Sequence, residues 1–173
     1  MSGCKIIRVK NLLGELLHMP GGISRDEAVS EAQRLIDELR VECEKAIPGE
    51  ITMLEDLVAL VGPAIDAPQL SMLLNAVGPL LTLTGTFGPP ALDAVVKRFC
   101  DLCAGMREND IADMAPVKVH LRAMRLIWNS QLSEDQVAEV LGELQRIHTY
   151  YGIAASTPQG PEDLEAALAG VTA

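Results

Sequence analysis

Apolar residues recur every three or four positions along most of the chain, a spacing typical of helices that bury one face. The clearest helix start is SRDE at 24–27, where Ser24 and Glu27 have the spacing of a capping box. In that motif each side chain satisfies a backbone N–H of the first helical turn. DAPQ at 66–69 and SEDQ at 133–136 repeat the signal. Three helices are therefore predicted to begin just after these caps.

Glycine and proline divide the apolar stretches from one another. Proline lacks a backbone N–H and disfavours helical geometry in the preceding residue, so Gly-Pro ends one helix and permits the next to begin. Gly-Pro occurs at 62–63, 78–79 and 88–89, and Pro48-Gly49 has a similar character. The resulting prediction is a set of helices at 24–47, 50–61, 68–84 with a kink at 78–79, 90–106, 117–129 and from 134 to about 151.

Both ends of the chain carry weaker signals. Residues 5–18 have apolar positions at helical spacing, although 5–10 alone also fit a short strand. Residues 161–170 read as a short helix with proline at its first position and acids near its start. We predict one domain over 1–153, followed by a loop and a loosely attached helix over 154–173.

The composition supports helix throughout. Of the 173 residues 49% are hydrophobic but only 3% aromatic, so the core is built from aliphatic residues, many of them strong helix formers. The predicted fold is all-α: an irregular or antiparallel bundle of six to seven helices around a central uncharged helix. In helix 24–47, helical spacing predicts one apolar face. Its residues are Ala28, Ala32, Leu35, Ile36, Leu39, Cys43 and Ala46.

The central helix is predicted from 26 consecutive residues without a charged side chain or histidine, at 67–92. This length would span a membrane, but Asn75, Pro79 and the GTFGPP loop would leave costly unsatisfied groups in lipid, which argues against a span. Three soluble alternatives are open: a fully buried helix, a helix shared with a dimer partner, and the wall of an apolar ligand pocket. The residues that would form the pocket or dimer face are Leu73, Leu74, Val77, Leu80 and Leu81.

Charge and cysteine content narrow the function classes. The formal net charge of -10 argues against general nucleic-acid binding, which needs a basic surface. Four irregularly spaced cysteines do not form a secreted disulfide framework, and the basic N-terminus has no signal-peptide apolar segment. We therefore expect a cytoplasmic protein with reduced cysteines.

Cys100 and Cys103 form the one C-x-x-C of the chain. A redox pair places its first cysteine at a helix N-terminus, whereas these lie about ten residues into a predicted helix with Asp101 between them. A zinc site needs two further ligands at recognisable spacing, and no such ligands are present in the sequence. The favoured interpretation is a pair of small core residues, with metal binding the weak alternative.

His120 lies on the border of an apolar face, beside a basic stripe formed by Lys118, Arg122 and Arg125. An exposed histidine near basic side chains is what phosphotransfer requires, because nitrogen attacks phosphorus while cations steady the phosphoryl oxygens. Histidine phosphotransfer domains carry lysine and glycine three and four residues later, where this chain has Ala123 and Met124. The basic stripe is instead expected to pair with the acidic helix at 134–143 or with an acidic partner.

The chain contains no nucleophile elbow, P-loop, Rossmann fingerprint or metalloprotease motif. We therefore expect a non-enzymatic protein-interaction or regulatory module without a cofactor, whose partner is another protein or a second copy. Two alternatives are kept: phosphotransfer signalling through His120, and carriage of a small apolar ligand between the Gly-Pro-broken helices.

Overall fold

The computed structural model describes residues 24–154, and 82% of these residues are helical. They form five helices: α1 (Arg25–Leu60), α2 (Ala67–Phe87), α3 (Pro90–Glu108), α4 (Ala115–Asn129) and α5 (Glu134–Tyr150). Helix α2 has two segments, Ala67–Ala76 and Gly78–Phe87, which meet at Val77. No strand occurs between residues 24 and 154, so the all-α class is confirmed. The predictions for 5–18 and 161–170 lie outside the described residues.

The chain divides into two compact units, residues 1–39 and 40–173. The described part of the first unit is the N-terminal portion of α1. Its predicted capping box is confirmed, because the Ser24 N–H donates to Glu27 at 2.9 Å and the Glu27 N–H donates to the Ser24 hydroxyl at 3.2 Å. The large side chains of the predicted apolar face in this unit, Leu35, Ile36 and Leu39, are exposed to solvent rather than buried, and so is Val29.

Helix α1 continues through Pro48, where a helix end was predicted. An interior proline costs one backbone hydrogen bond, but residue Glu44, whose carbonyl loses its partner, is exposed to water. Packing offsets the lost hydrogen bond, because buried apolar side chains follow one another at helical spacing on both sides of the proline. These buried residues are Ile47, Ile51, Leu54 and Val58.

The central helix of the second unit is α3, which packs against both segments of α2 and against α4 and α5. Its buried face includes Phe99, which has no exposed surface, together with Leu92, Val95, Val96, Leu102, Cys103 and Met106. The prediction that the uncharged 67–92 segment forms the centre is therefore wrong. Helix α2 buries one side only, and its Met72 is 40% exposed.

Backbone hydrogen bonds between loops also stabilise the second unit, in addition to the packing of its helices. The Ile65 N–H donates to the Ala112 carbonyl at 2.9 Å, and the Met114 N–H donates to the Pro63 carbonyl at 3.3 Å. These bonds place the C-terminal end of α1 beside the start of α4. At the other end, Ile153 is buried against Gly105, where an added Cβ would lie 2.5 Å from its side chain.

Helix α2 is the one helix among the described residues that is long and apolar enough to cross a membrane by length and composition. An 18-residue stretch of this helix has a mean hydropathy of 1.4, and 28% of that stretch is buried within the protein. The core helix of a soluble protein passes the same test, so this property carries no argument about function.

Candidate functional site

Two histidine rings meet in the interior of the second unit, between α4 and α5. Nε2 of His120 lies 3.1 Å from Nε2 of His148, and neither residue has exposed surface. Nδ1 of His120 lies 2.8 Å from the Pro116 carbonyl of the preceding helical turn. Nδ1 of His148 is buried without a hydrogen-bond partner among the described residues.

These contacts assign the ring protons. A carbonyl only accepts hydrogen bonds, so Nδ1–H of His120 donates to Pro116 and the Nε2 of His120 carries a lone pair. Nε2–H of His148 then donates to that lone pair, which leaves Nδ1 of His148 as an unpaired acceptor. Both rings are neutral in this arrangement, and a proton added to either one would bring a positive charge into the core.

The surroundings favour the neutral rings. Burial is the main cause that lowers the pKa of His120 to about 4; the Pro116 carbonyl opposes this shift, and the nearby His148 and Arg98 add to it. Burial also lowers the pKa of His148; the charge of Asp101 and the backbone of Arg98 oppose this shift, and the charge of Arg98 adds to it. Both Arg98 and Asp101 lie on α3, and Arg98 donates a hydrogen bond to the Leu141 carbonyl.

The burial of His120 removes the accessibility on which the phosphotransfer alternative depends. An attacking ring nitrogen must reach an incoming phosphoryl group, and both nitrogens of His120 already have partners inside the protein. The role of His148 was missed from the sequence. Its position four residues after Leu144 places it on the packed face of α5, but spacing does not show that it meets His120.

The predicted basic stripe does not act as one group. Arg125 binds Glu55 of α1 through two nitrogens, with its Nε 3.1 Å from Oε1, and also donates to the Thr52 hydroxyl at 2.9 Å. This ion pair joins α4 to α1, whereas pairing with the acidic helix 134–143 was one of the two expectations. Lys118 and Arg122 are exposed, and neither forms an ion pair with a residue between 24 and 154.

The Cys100 and Cys103 thiols are placed as core residues. Cys103 is fully buried and Cys100 is half-buried, and both are free thiols. Burial raises the pKa of Cys100 to about 11, with a further contribution from Asp101, and burial also raises the pKa of Cys103. Reactive thiols have lowered pKa values, so this environment opposes redox chemistry. The described residues contain no group of three or more His, Cys, Asp or Glu suited to a metal ion.

We predict slow alkylation of Cys100 in the native protein. A pKa of about 11 in place of 9.0 leaves a thiolate fraction about 100-fold smaller at pH 8, so iodoacetamide should react about 100-fold more slowly than with an ordinary thiol. Peptide mass spectrometry after timed labelling gives the rate, with the same protein in 6 M guanidinium chloride as control. Equal native and denatured rates would contradict this environment.

The five residues predicted to form an apolar pocket or dimer face divide between two environments. Leu73, Val77 and Leu80 are buried in the core, and Leu74 and Leu81 are half-buried against it. A shallow surface pocket of about 550 Å³ lies elsewhere, along α1, and none of the five lines it. Its lining residues are Pro48, Gly49, Thr52, Met53, Asp56, Leu57 and Leu60.

Among residues 24–39, the described part of the first unit, apolar side chains are exposed along one side of α1. We call this surface the apolar stripe: Val29, Ala32, Leu35, Ile36 and Leu39. Its four large side chains are exposed by 61%, 52%, 44% and 54% in Val29, Leu35, Ile36 and Leu39. The opposite side of this helix is polar, and there Arg34 forms ion pairs with Glu31 and Glu38. Half-exposed aliphatic side chains grouped in this way are typical of a surface that binds another protein.

Comparison with known proteins gives no further assignment: no family model, no curated protein and no solved structure matches this chain.

Proposed function

We propose that this protein is a non-enzymatic, cytoplasmic interaction and regulatory module that associates with a second copy of itself through the apolar stripe. The observation that carries the proposal is the exposure of Val29, Leu35, Ile36 and Leu39 along one side of α1. Water contact with these side chains is unfavourable, and burial against a partner would relieve it.

The spacing of the stripe favours another helix as the partner. Val29, Ala32, Ile36 and Leu39 follow one another at intervals of three, four and three residues, the 3.5-residue repeat of a coiled coil. In this register the β-branched Val29 and Ile36 take the a positions and Ala32 and Leu39 the d positions. β-Branched residues at a with leucine at d, as in Ile36 and Leu39, favour two strands. Arg34 and its two ion pairs then lie on the outer side, where charged residues are tolerated.

A second copy supplies a matching stripe without any further partner. In a two-fold dimer the same surface is used by both subunits, so one apolar stripe covers the other. Burial of a half-exposed aliphatic side chain is worth about 1 kcal/mol, which gives about 8 kcal/mol for the eight large side chains of a dimer. Association costs at least about 4 kcal/mol, which leaves about 4 kcal/mol at most and an expected dissociation constant of about 1 mM.

Sedimentation equilibrium between 20 µM and 2 mM tests the proposal. The average mass should rise towards twice 18.6 kDa with concentration. The variant Ile36→Glu/Leu39→Glu should weaken association at least 10-fold, because acidic side chains would face each other across the dimer. Ser30→Glu adds an acid on the opposite side of the same helix and should associate like the wild type. A wild-type mass that stays monomeric at 2 mM, or equal association of the stripe variant, would overturn the proposal.

A further inference from the structure

A second exposed surface lies on α4, and we call it the basic strip: Lys118, Val119, Arg122 and Leu126. Lys118 and Arg122 are exposed, and Val119 and Leu126 are exposed by 39% and 44%. With 3.6 residues per turn these four side chains fall within about 100° of one another around the helix. The strip therefore combines positive charge with apolar surface, in a chain whose net charge is -10.

The chain leaves the described region close to this strip. The Tyr151 hydroxyl donates to Oδ2 of Asp113, and Oδ1 of the same Asp113 accepts the N–H of Ala115, the first residue of α4. Ala154 follows three residues after Tyr151, so the described part of the chain ends near the N-terminal end of α4. Residues 155–160 reach about 20 Å when extended, whereas the strip from Lys118 to Leu126 is about 12 Å long.

The sequence that follows has the complementary chemistry. In PEDLEAALAG at 161–170, helical spacing groups Leu164, Ala167 and Leu168 on one face. Asp163 and Glu165 fall on either side of that face, at about 100° from Leu164. A ten-residue helix is about 15 Å long, which matches the length of the strip.

We propose that residues 161–170 bind the basic strip of the same chain as a short acidic amphipathic helix. Leu164 and Leu168 would cover Val119 and Leu126, while the flanking acids lie near Lys118 and Arg122. This is recognition of an amphipathic helix by an apolar surface with matching charge. A six-residue connection gives an effective concentration in the millimolar range, so a weak contact is sufficient within one chain. The proposal does not depend on dimer formation.

Limited proteolysis of the full-length chain tests this contact, with a protease that cleaves after glutamate and mass spectrometry of cleavage after Glu162 and Glu165. The protein is used at 5 µM, below the range expected for dimers. Lys118→Glu/Arg122→Glu should increase the cleavage rate at these two positions at least 5-fold. Leu164→Ser/Leu168→Ser should increase it similarly. Lys45→Glu/Arg146→Glu changes the net charge equally at exposed ion-paired positions and should leave the rate unchanged.

The outcomes separate this contact from its competitors. Equal cleavage of the wild type and the basic-strip variant, with circular dichroism showing unchanged helix content, would overturn the proposal. A wild-type rate that falls as protein concentration rises would show binding to a second copy, which also overturns binding within one chain. Ile36→Glu/Leu39→Glu should cleave like the wild type, so a failure of the dimer proposal leaves this test intact.

Discussion

Lowering the pH from 7 to 4 will reduce the free energy of unfolding by about 3 kcal/mol through His120 alone, with a further loss through His148. The folded-state pKa of His120 is lowered to about 4 from 6.5, so the unfolded chain binds protons more readily than the folded chain between these values. Stability is therefore complete above about pH 6.5 and is lost as the pH falls towards 4. The pKa of His148 is also lowered, so its contribution has the same sign.

Urea unfolding at half-unit pH intervals, followed by circular dichroism, measures this loss. The double variant His120→Leu/His148→Leu removes both rings and should flatten the pH dependence between 4 and 6.5, whatever its stability at pH 7. Carboxylates with lowered pKa, such as Asp113, still titrate in that variant and define the remaining slope. The same slope in the wild type and the double variant would show that the rings are not buried and neutral.

Phe99→Ala should cost about 3–5 kcal/mol of the free energy of unfolding, a large share of the roughly 5–15 kcal/mol typical of a domain. Phe99 has no exposed surface and lies on α3, the helix that contacts α2, α4 and α5. Removal of its ring leaves a cavity that three helices would have to move to fill, so relaxation recovers little of the loss.

Urea unfolding at pH 7 gives this difference, with Leu60→Ala as a matched control. Leu60 is 85% exposed, so its truncation should change stability by no more than about 0.5 kcal/mol. Equal losses in the two variants would contradict the position of α3 at the centre of the core.

Helix starts and most helix ends were predictable because they depend on local chemistry. The capping boxes at Ser24, Asp66 and Ser133 form as expected, and the predicted break at Gly78-Pro79 coincides with the junction between the two segments of α2. Pro48 behaved differently because the buried residues that follow Ile47 favour continuation of the helix. The stabilisation from burying these residues depends on neighbouring helices, which a local sequence pattern does not reveal.

Burial was harder to predict than helix formation. The 67–92 segment lacks charge, yet composition does not determine how many sides of a helix are covered. The central α3 carries Asp93, Lys97 and Arg98, and Arg98 remains satisfied by donating to the Leu141 carbonyl. The histidine pair was not predictable from spacing, because its two rings are 28 positions apart in the chain and meet only through the packing of α4 against α5.

Hydrogen exchange at two protein concentrations, 20 µM and 2 mM, tests self-association through the apolar stripe most directly. Deuterium uptake should slow at the higher concentration in peptides that cover residues 25–40, because docking stabilises that part of α1. Uptake in peptides that cover 67–87 should not change. Unchanged uptake at 25–40, or slowing at 67–87 instead, would contradict the apolar stripe as the surface of association.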